Sequence, residues 1–337
     1  MKTAIITTTL ICAATAALSD PAGLRLTKMH MPHHNADAGV SIWYPNGGGG
    51  DLQTVAENPV FQGVEAAQEA QVQQGAHPVV LFSHGMGGTA RTQAWLASGL
   101  ALRGAIVVSV NHPNSTWGDF DMSKGVHHWT RVADLSTALD TMLVDPKFAD
   151  HIDTTRIMTA GFSFGGWTAL SMGGVKGNHA GFVAACSAQI DTMEACDMLL
   201  SDRVNIQGIT PDVWNASYVD ARITHVTAID PGFVWGLDLA DVADFSPKAH
   251  LIGFGSAQDR MRATDFDKSG LAGLLPDAAV TQYDPAFHFT AMPLCKPAGE
   301  AILREEKDDP VCTDPTGTDR ATVHAAIIDS IANDLGL

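Results

Sequence analysis

The chain has 337 residues, 45% hydrophobic and 17% charged, a composition and length that suit one large α/β domain or two smaller ones. Its formal net charge of −17 excludes a nucleic-acid partner, because neutralising phosphates needs clustered Lys and Arg, and it argues against docking on anionic lipid. The acidity reads as a solubility device.

Residues 1–19 carry one basic residue, Lys2, an apolar run from Ala4 to Leu18, and the small-residue pattern Ala14-Thr-Ala16. That is the layout of a secretory signal peptide, too short for a membrane span. No other apolar run approaches membrane length, so a periplasmic or secreted protein without stable membrane insertion is expected. Removing Cys12 leaves Cys186, Cys196, Cys295 and Cys312. Four cysteines in an exported chain point to two disulfides, with three possible connectivities. The sequence-local pairs, Cys186–Cys196 and Cys295–Cys312, are favoured, and no C-x₂₋₄-C pair suggests zinc.

In chain order, Leu24 to Met31 and Val40 to Tyr44 read as strands, Asn46 to Gly50 as a flexible turn, and Ala56 to Gln74 as a polar surface helix or excursion. His30, His33 and His34 cluster before the second strand; without a carboxylate or cysteine partner they read as a solvated loop, and no metal is expected. Pro78 to Ser83 and Ala105 to Val110 are short apolar runs of the kind buried on both faces of a parallel sheet. Between them a helix is expected from Ala90 to Arg103, and after them an amphipathic helix from Trp129 to Val144. Ile157 to Phe162 is a further buried strand, and Trp167 to Met172 begins a helix. Strands at Ile223 to Ile229, His250 to Phe254 and Val280 to Tyr283 follow, with a closing helix from Arg320 to Leu335. This alternation predicts a mainly parallel sheet with helices on both faces. About 177–220 breaks it, and reads either as a cap inserted over the active face or as a peripheral helical insertion. One domain, 20–337, is expected.

Between strand and helix lies Gly161-Phe-Ser163-Phe-Gly165. So abrupt a turn forces its apex into a strained backbone, lifts the serine hydroxyl off the sheet, and needs small neighbours. Ser163 is therefore the candidate nucleophile, and it requires a base oriented by a third group. His288, on the loop after the last predicted strand, is the candidate base; His225, His250 and His324 fall within strands or a helix. Asp230 ends the strand after the elbow unit and is the favoured acid. Asp259, beside Arg260, is the alternative. Backbone N–H groups of Phe164 and Met86 are the candidate oxyanion donors, with His84 a loop-fixing residue. Trp117, Phe233 and Trp235 stand beside predicted strand ends and could line an acyl pocket or pack in the core. Asp308 to Asp319 reads as an acidic, disulfide-stapled turn rather than a calcium loop, and Gly253-x-Gly255 lacks the rest of a dinucleotide fingerprint.

Phe82 to Arg91, Gly161 to Gly166, Ala228 to Gly232 and the His288 loop together resemble platelet-activating factor acetylhydrolase and the bacterial dienelactone-hydrolase-like proteins, over roughly residues 24–335. The resemblance implies an α/β-hydrolase fold and a metal-independent, cofactor-free serine esterase acting on small esters with short or modified acyl groups. It also implies an acid placed as Asp230 is. True dienelactone hydrolases carry cysteine where this chain has Ser163, so their lactone activity does not transfer. Two rival expectations remain: a lipase or polyester hydrolase with a broad apolar cleft, and an inactive binding protein on the same scaffold.

Overall fold

The computed structural model describes residues 20–337; the expected signal peptide lies outside the described residues. The chain opens with an antiparallel hairpin, β1 (Gly23–Met31) and β2 (Ala36–Tyr44). A second hairpin follows, β3 (Asp51–Val55) and β4 (Val64–Gln68), with β4 parallel to β1. Of the two expectations for Ala56 to Gln74, the helix is therefore wrong. The Gly-rich turn at 46–50 leads into β3; β4 then returns along the open edge of β1, and pairing with that edge overrides local helix propensity.

From β5 (His77–Ser83) the chain alternates strand and helix. A 3₁₀ turn leads into α1 (Ala94–Leu102), then β6 (Ile106–Val110). A two-residue ribbon, β7 (Ser115–Thr116) with β8 (Asp119–Phe120), and the short α2 (Met122–Gly125) precede α3 (His128–Met142). Next come β9 (Ile152–Phe162) and α4 (Phe164–Met172). The irregular stretch holds α5 (His179–Ala188), α6 (Cys196–Leu200) and α7 (Pro211–Trp214). The remaining elements are β10 (His225–Ile229), β11 (Lys248–Phe254), α8 (Leu271–Leu274), β12 (Ala279–Tyr283), α9 (Gly299–Glu306) and α10 (Arg320–Asp334).

Ten strands form one sheet in the order β12-β11-β10-β9-β5-β6-β2-β1-β4-β3. The six from β12 to β6 are mutually parallel. Inside the sheet their apolar side chains are covered on both faces, as the continuous hydrophobic runs of β5 and β6 require, while the edge strand β12 stays largely exposed. One face packs against α3 and α4 through Leu135, Leu139, Trp167 and Leu170. The other packs against α1 and α10 through Leu96, Leu100, Ile327 and Ile331. The order reverses at β5, with β9 on one side and β6 on the other. Such a switch point opens a crevice at the carboxyl ends of the strands.

Both expected cysteine pairs lie at bonding distance, Cys186–Cys196 joining α5 to α6 and Cys295–Cys312 bracketing α9. Among the described residues no helix is long and apolar enough to cross a membrane.

Candidate active site

Ser163 sits between β9 and α4 with φ 57° and ψ −120°, a conformation that L residues rarely adopt. The neighbouring glycines are there for space. A Cβ on Gly161 would stand 2.1 Å from the Gly165 carbonyl oxygen, and one on Gly165 would stand 1.9 Å from that of Ser83. No side chain fits at either position, so β9 can turn into α4 beside β5 only with glycine at both.

His288 Nε2 lies 3.1 Å from Ser163 Oγ, and its Nδ1 lies 2.6 Å from Asp230 Oδ2. A carboxylate only accepts, so Nδ1 carries the proton and Nε2 offers its lone pair to the hydroxyl. Asp230 is 1% exposed, and its remaining partners are Thr264 Oγ1 at 2.8 Å, Arg260 Nη1 at 2.6 Å and the Phe254 N–H at 3.3 Å. Asp259 lies in a 3₁₀ turn beyond β11 without contact to His288, and Arg260 pairs with Asp230 instead of with its sequence neighbour. Arg260 and Thr264 were not singled out from sequence, because only the fold brings them to β10. The His288 loop is tied down by Thr290, which donates to Asp314; Asp314 also pairs with Arg320 at the start of α10. That employs part of the acidic segment as an anchor.

Gly85 and Met86 cross just above Ser163. Among the described residues no hydrogen bond engages the N–H of Met86 or that of Phe164. His84 does fix the loop, with Nδ1 2.7 Å from the Gly85 carbonyl oxygen. Burial and the adjacent Arg131 cation hold it neutral, well below the ordinary imidazole range. Beneath the loop lies Arg131 of α3, 1% exposed, donating to Ser83, Ser115, Thr168 and the His84 carbonyl and facing the Phe164 ring at 4.7 Å. Burial lowers its pKa to about 9, so it remains a cation at neutral pH. The amphipathic pattern expected over Trp129 to Val144 carried no sign that an arginine joined the buried residues Val132, Leu135 and Leu139.

A second Ser-His-Asp alignment lies nearby. Ser83 Oγ is 2.9 Å from His112 Nε2, and His112 Nδ1 is 2.8 Å from Asp134 Oδ2. All three are fully buried, and Arg131 donates to Ser83 at 3.0 Å. Nothing can reach that hydroxyl, so the set is structural.

Ser163 and His288 open into a cavity of about 140 Å³, lined mainly by Met86, Phe164, Phe182, Leu199, Phe233 and Met261. Phe182 and Leu199 come from α5 and α6, so the irregular stretch forms one wall. Glu194 ties that wall to the loop after β11 by accepting from the N–H groups of Arg262 and Ala263. Larger grooves beside Trp95 and Trp43 contain none of these residues. Of the three aromatics proposed for the pocket only Phe233 lines it. Trp117 is a correction: it is 79% exposed, because the ribbon β7–β8 turns it outward. Trp235 is another: it is buried outside the cavity lining, its indole N–H donating to the Arg262 carbonyl at 2.9 Å.

No protein-family model matches the sequence, and no curated protein matches it. Among solved structures, a ferulic acid esterase from Streptomyces cinnamoneus is similar with a TM-score of 0.56 at 15% identity, over 95% of this chain and 90% of that one. A dienelactone hydrolase-like promiscuous phosphotriesterase from metagenomic libraries is similar with a TM-score of 0.53 at 14% identity, over 93% and 98%. Identities this low speak for architecture alone. With its parallel sheet, covered faces and strand-to-helix turn at Ser163, the chain has the α/β-hydrolase fold.

Proposed function

We propose that the protein is an exported serine hydrolase that cleaves carboxylic esters, with short acyl groups favoured, through an acyl-enzyme. The supporting observation is the unbroken hydrogen-bonded chain from Ser163 Oγ through His288 to buried Asp230, open at one end to an apolar cavity. Ser163 attacks the ester carbonyl while His288 Nε2 takes its proton, and Asp230 holds the ring and stabilises the imidazolium. The N–H groups of Met86 and Phe164 receive the oxyanion, and the buried Arg131 cation beneath their loop adds to the favourable field. His288 then protonates the leaving alcohol, and water repeats the sequence to release the acid. This cycle uses no cofactor. The two solved structures noted above carry esterase and phosphotriesterase names, which accords with an ester-hydrolysing reading.

The small, Met- and Phe-lined cavity suits a short acyl group better than a long chain, which argues against a lipase or polyester hydrolase. Residues 20–337 are read as one domain, with about 177–220 as a cap over the site. Export rests on the signal-like segment and the two disulfides. A fluorophosphonate probe tests the central claim: Ser163 should be labelled in the folded protein, and labelling should vanish in Ser163→Ala. Probe adduct elsewhere, or none, would overturn it. Rates on nitrophenyl acetate should exceed those on long-chain nitrophenyl esters; the reverse order would restore the lipase reading.

A further inference from the structure

We infer that His33, His34 and Asp134 form a binding site for a divalent transition-metal ion of the zinc class, separate from the hydrolytic centre. His33 and His34 occupy the turn between β1 and β2, and Asp134 projects from α3. The fold thus supplies a carboxylate to His33 and His34 from far along the chain, while the nearby Asp37 pairs with His30 instead. His33 Nε2 lies 2.8 Å and His34 Nε2 3.4 Å from the same atom, Asp134 Oδ1, and the three donor atoms all lie within 4.8 Å of one another. Bonds of about 2.0–2.2 Å in tetrahedral array separate zinc ligands by roughly 3.3 Å, so small side-chain rotations would seat an ion.

An ordinary ion pair between His33 and Asp134 explains only part of this. His34 has a side chain 10% exposed, and its Nε2 is buried without a hydrogen bond although it faces the cluster. A buried, unsatisfied ring nitrogen is costly, and a cation is the partner that would satisfy it while sharing Asp134. The carboxylate is also oriented as metal-binding carboxylates are, because His112 Nδ1 holds its other oxygen at 2.8 Å and Ser83 holds His112 in turn. The His33 side chain, 26% exposed, leaves a side open for entry and for a water ligand. Two imidazoles and one carboxylate select zinc, cobalt, nickel or copper(II) over magnesium or calcium, which prefer all-oxygen sites. None of the three residues lines the Ser163 cavity, so the ion would brace the β1–β2 turn against α3 and take no part in hydrolysis.

The test uses the full mature chain, stripped with EDTA and titrated with zinc chloride by calorimetry, with metal content counted by mass spectrometry. One saturable zinc per chain and a raised unfolding midpoint are expected. His33→Ala and His34→Ala should each weaken binding by more than the roughly 10–100-fold typical of losing an outer partner of a metal ligand. His30→Ala, in β1 beside the same turn but outside the cluster, should bind like wild type. X-ray absorption at the zinc edge of wild type should show two imidazoles, a readout that needs no variant to fold. Absence of saturable binding, affinity unchanged in the His33 and His34 variants, or an absorption spectrum without imidazole would each overturn the proposal.

Discussion

Two Ser-His-Asp alignments with nearly the same hydrogen-bond lengths stand in one molecule, and their difference is why Ser163 rather than Ser83 is proposed as the nucleophile. Ser83 has its base and its acid, yet Arg131 donates to it and the core seals it. Ser163 has the strained backbone, the cavity and the uncommitted N–H donors. At this scale the assignment of the acid can be tested. Asp230→Asn should cost about 10⁴-fold in kcat with little change in KM, since the amide would favour the wrong imidazole tautomer. Asp259→Asn should leave both constants close to wild type, because that side chain does not touch His288. Steady-state kinetics on nitrophenyl acetate decide this, and the opposite ranking would move the acid to Asp259.

The elements around the cavity set its size. Phe233 is held at φ 59° between the rings of Phe164 and Phe182, at 4.6 and 4.9 Å, so it forms part of the pocket wall. Phe233→Ala should lengthen the pocket and raise the butyrate-to-acetate rate ratio several-fold, measured on the two nitrophenyl esters. An unchanged ratio would place the acyl group elsewhere. The Cys186–Cys196 bond joins α5 and α6, which form the other side of that wall. Replacing both cysteines by serine should lower stability by about 2–4 kcal/mol in chemical denaturation, on the loop-entropy account.

Across the whole molecule, buried histidines make stability depend on pH. Burial lowers His128 to about 3 and His324 to about 4, against an ordinary value of 6.5 in the unfolded chain. Below that ordinary value the unfolded chain takes up protons that these two sites refuse when folded. Stability is therefore lost as pH falls from the ordinary histidine value toward about 4, by up to about 1.4 kcal/mol per pH unit for each site. Urea midpoints across this range should fall with acid. In His128→Phe, whose ring cannot titrate, the fall should be shallower even if the starting stability differs. Parallel slopes would show that His128 already charges in the folded state.

Local patterning carried much of this architecture. Apolar runs such as Val79 to Phe82 and Ile106 to Val110 can only be doubly covered strands, and Gly161 and Gly165 announce a turn that tolerates no Cβ. Those features depend on neighbours within a few positions, which is why the sheet, the elbow and the pairing of nearby cysteines were legible. Other features depend on residues that meet only after the chain folds. Within 56–74, Val64–Gln68 became a strand because β1 left an edge to pair with. Arg260 turned from Asp259 to Asp230, Trp117 and Trp235 left the pocket to Phe233, and Asp134 crossed a hundred positions to reach His33. Covalent neighbours and periodicity are written along the chain, whereas the partner of a buried charge or the owner of a cavity wall is settled by long-range packing, which no short window of residues records.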